Sequence, residues 1–491
     1  MGLSPYLALL SFGACFNGNF QQAYLLSILN QPYLIAQRFI NESYVARTGK
    51  ALDDLYIDFL WSIINVVNPI SGIVGQIIAY IICDRIGRRW TAIVSCLISI
   101  PALLLSMLTR FLFPYYEALI IGRFLWGTAN GIAIVVQTVW IVESAPTSQR
   151  GKVNSWQEAV ATSGNLLSQA VGVVMSTSTL WSFTFSVPLF VNIICLMIFV
   201  MMYESPQYLL IYKNKPKVAM RSIAAYHGLH DDIEILKQLR KCEDDGKKKE
   251  SPKFEDEKEY SGMEIMFMPW KANDSFSIVI RQGAWIGIMV KIAYVFTGAR
   301  VIRSFNTFIY HGLGKWSENF AQWGSLVNTI IRLPLSIIPI FIIEKVGRRP
   351  LMVISQLASV LTLSIIMISV FIGERAKIGT LLGVSLLLFA TSLGIGSISR
   401  FYSAELVPKN MLLRTVTVLS LIESSTKIAL DFGFYPIAAT NGAYAFLLFL
   451  IPSFIFLFMM IRYCPETKQR SVNVILNEMA VRLKVDAVFK V

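Results

Sequence analysis

Asp84-Arg85-Ile86-Gly87-Arg88-Arg89 closes one long apolar run, and Glu344-Lys345-Val346-Gly347-Arg348-Arg349-Pro350 closes another. The copies lie 260 residues apart, about half of the 491-residue chain. A duplicated acid-(K/R)-x-G-R-R turn inside a hydrophobic protein implies two related membrane halves that move against each other, the layout of a transporter.

Outward from these turns the chain is 55% hydrophobic and only 15% charged. Soluble domains run at roughly a quarter charged, so most of this sequence belongs in lipid. Apolar stretches of about 20 residues, long enough to cross a hydrocarbon core of roughly 30 Å, recur along it. Twelve are expected, near 5–28, 56–82, 91–112, 117–142, 154–176, 181–203, 282–310, 320–343, 351–373, 378–404, 412–439 and 442–463. Backbone groups in lipid must bond within their own segment, so these spans are helices.

The net charge of +13 is not spread evenly. Lys and Arg collect in alternate loops (84–89, 150–152, 204–281, 344–349, 409–414) and in the tail, whereas the opposite loops hold chiefly Arg38, Arg47, Lys50, Arg375 and Lys377. That asymmetry is the positive-inside pattern and puts both termini in the cytoplasm. It argues against a basic nucleic-acid binder. Six scattered cysteines, none paired in an outside loop, imply neither a disulfide framework nor a metal site. The first span reads as an uncleaved signal anchor.

Two six-span halves, 1–203 and 282–463, flank a charged linker at 204–281, and a tail follows at 464–491. Cys242 to Lys249 mixes both charge signs and reads as solvated or disordered. Pro216 to Leu239 instead places Val218, Ile223, Leu229, Ile233 and Leu236 at helix-like intervals, which predicts short amphipathic helices. The loop at 29–55 faces outward by the charge rule and carries the sequon Asn41-Glu42-Ser43, so Asn41 is expected to be glycosylated.

Further motifs extend the pattern: Gly122-Arg123, Glu143 with Arg150-Gly151, Glu204-Ser205-Pro206-Gln207-Tyr208-Leu209-Leu210, Ala404-Glu405-Leu406 and Pro465-Glu466-Thr467-Lys468. With the two basic turns, in this order and spacing, the chain resembles a sugar porter of the major facilitator superfamily, specifically the animal facilitative hexose transporters. Gln37 to Gly49 is similar to the fructose-transporting branch. The resemblance implies an all-α membrane protein with the major facilitator fold, 12 transmembrane helices in two pseudo-symmetric six-helix halves. It further implies a small-molecule substrate, a lipid bilayer around the protein, residence in the plasma membrane, and no cofactor.

Alternating access needs a cytoplasmic seal that holds in one state and breaks in the other. Ion pairs between loop arginines and helix-end carboxylates suit that task, being strong when docked and exchangeable for water when parted. Asp84, Arg88, Arg89, Arg150 and Glu143 are expected to form this latch in the first half, with Glu344, Arg348, Arg349 and Glu405 as its mirror. Arg123, inside the fourth span, requires a carboxylate, and Glu143 or Glu204 are the candidates.

The substrate site departs from the resemblance. Where sugar porters place a Gln in the fifth span, eight residues after the Arg of the Arg-Gly pair, this chain has Glu158, with Gly164, Gln169 and Gly172 following in register. The family's Gln-Gln-x-Ser-Gly-x-Asn in the seventh span is here Tyr294-Val295-Phe296-Thr297-Gly298-Ala299-Arg300. Span 10 carries Gly396-Ser397-Ile398-Ser399-Arg400, and span 11 carries Glu423, Ser424, Lys427 and Asp431. Intramembrane charges are costly and mark function by default. Glu423, Lys427 and Asp431 are four apart, so they share a helix face and are expected to neutralise one another. Arg300, Arg303 and Arg400 outnumber Glu158, leaving the inferred cavity net positive.

Three uses of that cavity stand open: internal ion pairing in a protein that no longer transports, passage of a hexose or polyol held by Asn165, Gln169, Thr297 and the charged groups, or passage of a small anion matched to Arg300 and Arg400. Residues 1–40 contain no acid, and Leu25 occupies the position aligned with the Asp of proton-coupled porters, which favours facilitated diffusion. No nucleotide-binding loop, zinc-protease or serine-hydrolase motif appears, and His227, His230 and His311 form no evident site, so an enzyme is not expected. A transport-dead sensor with the same fold is the rival class.

Overall fold

The computed structural model describes residues 4–146, 150–229, 231–247, 262–335, 338, 345–407, 409–468, 470 and 472–485. Most of these are helical, with no strand among the described residues. The chain forms two compact units, Met1–Asp256 and Glu257–Val491.

The first unit opens with α1 (Pro5–Cys15), a π-turn at Phe16–Phe20 and α2 (Gln21–Ser27), which together make the first rod. Then come α3 (Tyr33–Thr48), α4 (Asp54–Ile86), α5 (Arg88–Leu108), α6 (Glu117–Ser144), α7 (Arg150–Met175) and α8 (Ser186–Met201). Helices α4 and α6 meet backbone to backbone: a Cβ on Gly75 would sit 2.0 Å from the Thr128 carbonyl oxygen, and one on Gly131 would sit 2.2 Å from that of Gly72. Small residues allow this approach where lipid supplies no hydrophobic drive between helices.

The segment at 29–55, read from sequence as a loop, contains the 16-residue α3. Its far end is tied down by Arg47, whose Nη1 donates to Glu117 at 2.8 Å while the guanidinium stacks over Tyr116. Asn41 lies within this helix, its side-chain oxygen accepting from the Leu52 N–H at 3.0 Å.

Short helices α9 (Pro206–Ile211), α10 (Pro216–His227) and α11 (Asp232–Lys247) complete the unit. The amphipathic reading of 216–239 holds for the helices but not for every face. Leu209, Ala219, Ile223, Ile235 and Leu239 form their core, whereas Val218, Ile233 and Leu236 are exposed. The mixed-charge stretch from Cys242 continues α11 as far as Lys247, and 248–261 lies outside the described residues.

The second unit comprises α12 (Gly262–Phe267), α13 (Ser275–Phe296), α14 (Ala299–Ser304), α15 (Asn306–Phe308) with a π-turn to Leu313, α16 (Glu318–Leu335), α17 (Arg348–Ile372), α18 (Lys377–Leu393), α19 (Ile395–Glu405), α20 (Lys409–Asn441), α21 (Leu447–Tyr463) and α22 (Val472–Leu483). Span 7 is therefore broken, at Thr297-Gly298 and again at Phe305. In α22, Ile475, Leu476 and Met479 are buried against Met352, Ile398, Tyr402 and Cys464.

Among the described residues twelve rods are traced, agreeing with the sequence spans. Seven helical stretches meet a strict length and hydropathy test for crossing a membrane. Two of them, Arg348–Leu393 and Ile422–Tyr463, each hold two helices joined by a 3-10 turn.

Gly87 (φ 99°) and Gly347 (φ 104°) turn the chain between paired spans in the two units. A Cβ there would meet the Glu204 carboxylate at 2.4 Å and the Glu466 carboxylate at 2.9 Å respectively. Gly87→Ala and Gly347→Ala are each expected to lower the melting temperature of detergent-purified protein, by an unfolding free energy of roughly 1–3 kcal/mol. Gly72→Ala, whose Cβ meets nothing within 4 Å, serves as the neutral control.

Candidate functional site

The duplicated turn builds the same cluster twice. In the first unit Arg88, 5% exposed, forks onto Glu143, its Nε and Nη2 each donating at 2.9 Å to the two carboxylate oxygens. Ser205 donates to the same carboxylate at 2.5 Å. Asp84, half exposed, adds a 3.2 Å contact to Arg88. In the second unit Arg348 lies 3.6 Å from Glu405, and Thr467 donates to Glu405 at 2.5 Å. Planar bidentate pairing is the geometry that gives an Arg–carboxylate pair both strength and orientation.

A second carboxylate closes each cluster from beneath. Glu204 accepts the Arg88 N–H at 2.9 Å and the Arg89 N–H at 3.1 Å. Glu466 accepts the Arg348 N–H at 2.9 Å and the Arg349 N–H at 3.0 Å. Each carboxylate thus satisfies the orphan N–H groups at the start of α5 or α17 and opposes the positive end of the helix dipole. Sequence reasoning did not assign these roles. The signal was available in a second repeat, the acid-hydroxyl dipeptides Glu204-Ser205 and Glu466-Thr467.

Two expectations for the latch are corrected. Among the described residues Arg89 and Arg349 do not pair with Asp84, Glu143 or Glu405; Glu344 lies outside them. Arg89 donates to the carbonyls of Phe199 (3.2 Å) and Val200 (2.6 Å), and Arg349 to that of Ile461 (2.8 Å), because carbonyls in the last turns of α8 and α21 lie beside them. Arg123 has neither candidate acid. It is 1% exposed, donates from Nε to the Ile64 carbonyl at 3.3 Å, and its Nη1 has no partner among the described residues. Glu143 lies 20 residues further along α6, about 30 Å away at 1.5 Å per residue, so the pair is out of reach.

Of the expected substrate residues in the first unit, Asn165 and Gln169 are buried on α7. Gln169 accepts from Gln31 at 2.6 Å and from Asn30 at 3.4 Å. Around them lies a set of amides that sequence reasoning missed. Gln21 donates to the Pro188 carbonyl at 2.9 Å and accepts from Trp126 at 3.1 Å, and Asn130 donates to the Gly18 carbonyl at 2.9 Å. The side-chain oxygens of Asn165 and Gln137 are buried without partners among the described residues. Leu25, at the position of the coupling acid in related porters, is buried.

The second unit has a different character. Thr297 does not present its hydroxyl to a ligand; it is fully buried and donates to the Tyr294 carbonyl at 2.7 Å, because the helix breaks there. Glu423 and Lys427 do pair, but Glu423 also takes Lys291 of α13 at 3.1 Å. Asp431 is not neutralised by its own helix; it contacts Arg300 of α14 at 3.4 Å. Lys291 was the missed residue, and a lysine in the middle of an apolar span was its signal. The side chains of Arg150, Glu158 and Arg400, and all of Glu344 and His230, lie outside the described residues.

Paired-span units, duplicated Arg–Glu clusters and ionisable groups within the spans define a multi-pass membrane transporter fold. Residues 10–478 match the family model described as "Sugar (and other) transporter", and the chain belongs to that family. It is 25% identical over 468 residues to the bovine (Bos taurus) solute carrier family 2, facilitated glucose transporter member 4, covering 92% of this chain and 87% of that protein. It is 24% identical over 483 residues to the horse (Equus caballus) facilitated glucose transporter member 5, covering 96% and 91%. The inward open xylose transporter XylE from E. coli superposes with a TM-score of 0.76 at 16% identity, covering 97% of this chain and all of that one. The major facilitator fold expected from sequence is the fold observed.

The two anchoring carboxylates differ in their titration. Burial holds Glu204 above its ordinary value, and the N–H donors of Ser205, Arg89 and Arg88 offset only part of that. Burial also raises Glu466, but four backbone N–H donors outweigh it and leave the group below its ordinary 4.5. A lowered carboxyl adds stability that is present above its unfolded pKa and is lost as pH falls through the folded value; a raised one gives the opposite slope. Between pH 7 and pH 4, the melting-temperature deficit of Glu466→Gln against wild type should therefore shrink on acidification, and that of Glu204→Gln should grow. Parallel slopes in the two titrations would contradict the assignment.

Proposed function

We propose that this protein moves a small polyhydroxylated solute, in the simplest case a hexose, across the membrane by facilitated diffusion with alternating access. The observation that carries this reading is the buried amide set of the first unit, Gln21, Asn30, Gln31, Asn130, Asn165 and Gln169. Neutral sugars present hydroxyls that both donate and accept, and Asn and Gln are the side chains that answer both ways. The names of the relatives, glucose and xylose transporters, support the same class.

In this reading the Arg88–Glu143 and Arg348–Glu405 clusters are the cytoplasmic latch, with Arg150 and Glu344 as further members and Glu158 and Arg400 as cavity residues. The bias of Lys and Arg toward alternate loops supports cytoplasmic termini and a plasma-membrane orientation with α3 outside. Passive transport is supported by the buried Leu25 and the lack of any acid in residues 1–40.

In cells lacking hexose carriers, saturable uptake of labelled fructose or glucose is expected once surface expression is verified. In proteoliposomes the rate should not change under an inward proton gradient; acceleration would overturn passive transport. Asn41 is the proposed glycan site on α3, so glycosidase treatment should shift the wild-type band on a gel and leave Asn41→Gln unchanged.

A further inference from the structure

The second unit holds a charge cluster that neutral-sugar binding does not require. Lys291 on α13, Arg300 and Arg303 on α14, and Glu423, Lys427 and Asp431 on α20 all belong to membrane-spanning rods. Glu423 and Lys427 flank the midpoint of α20. Among the described residues of these rods four cations stand against two carboxylates, and both carboxylates are already engaged: Glu423 by Lys291 and Lys427, Asp431 by Arg300. Arg303, one turn beyond Arg300, has no acid partner among the described residues.

The open hydrogen-bonding positions are of both kinds. Among the described residues the Nε–H groups of Arg300 and Arg303 are buried donors without an acceptor, and Oδ1 of Asp431 is a buried acceptor without a donor. Asp431 itself is 5% exposed. The side chains of Arg300, Glu423 and Lys427 keep 18–19% of their surface, so the cluster is not sealed. A guanidinium left without a counter-charge in a low-dielectric region is costly, and its retention points to a charge supplied from outside the chain.

We propose that this cluster receives the carboxylate of a sugar acid, a hexuronate or aldonate monoanion. Arg303 and Arg300 hold the carboxylate through charge-assisted bonds, and Asp431 accepts from a hydroxyl of the same ligand. A halide or sulfate answers the arginines but has no hydrogen to give Asp431 and is repelled by it. A neutral hexose answers Asp431 and leaves the excess positive charge in place. Only a ligand carrying an anion beside a hydroxyl satisfies both. This inference rests on the transport reading above and names its substrate class.

The test uses the purified full-length protein, with thermal-shift titration and proteoliposome uptake measured in parallel for D-glucuronate, D-glucose and chloride. Glucuronate is expected to stabilise the wild type at concentrations at least about tenfold below those of glucose, the size of one hydrogen bond to a charged group. Arg303→Gln should abolish that preference, and Arg303→Lys should retain part of it. Equal or tighter binding of glucose, with glucose taken up, overturns the sugar-acid inference and leaves the transport reading intact. A glucuronate shift that survives in Arg303→Gln also overturns it. A glucuronate shift lost in Arg303→Gln, without uptake of any solute, supports the binding inference while transport fails. No shift and no uptake from folded protein removes both.

Discussion

Everything at the basic turns depends on one constraint: a helix start buried against protein must have its N–H groups answered. Glycine turns the chain at positions 87 and 347, the next helix begins at once, and a glutamate from the far end of the same unit accepts the first two amides. That contact fixes the guanidinium of Arg88 or Arg348 on the other side, where it meets Glu143 or Glu405. The hydroxyl after each anchoring glutamate then bonds Glu143 or Glu405, so the two carboxylates of each cluster are linked through adjacent residues. The sharing explains why the motifs come as a set. An Arg–Glu pair alone would be a surface ion pair of little worth, but one oriented by a satisfied helix terminus is a positioned element.

The two units share this frame and differ in their interiors. The first is dressed with amides that bond backbone carbonyls, one another and an indole. The second carries ions that bridge between helices, with Glu423 shared by α13 and α20. Amides tolerate exchange of partners with little electrostatic cost, whereas a bridging ion ties the position of one helix to that of another. The two units are thus alike at their basic turns and different at their centres.

What the sequence made legible follows the same division. Spans were readable because lipid imposes length and hydropathy, and the arginines of the basic turns were readable because a six-residue motif occurred twice. Partners were harder. Arg123 was assigned an acid on the basis of charge alone, although Glu143 lies some 30 Å along the same helix. Thr297 was taken as a ligand group, but the helix break beside it uses the hydroxyl for the backbone. The amide set escaped notice because an isolated Gln or Asn in an apolar span carries no local pattern; only the fold brings Gln31 to Gln169 across 138 residues. The helix at Tyr33–Thr48 was missed since a polar helix fixed by Arg47 and Glu117 has none of the apolar periodicity that announces one.

The helix Val472–Leu483 has a bearing on how the protein is made. Its apolar face fills a recess built by residues of α13, α17 and α19, all translated earlier. That recess stays uncovered until residues 472–483 have left the ribosome. A nascent chain that stops short of Val472 therefore leaves Met352, Ile398 and Tyr402 without the apolar cover that Ile475, Leu476 and Met479 supply.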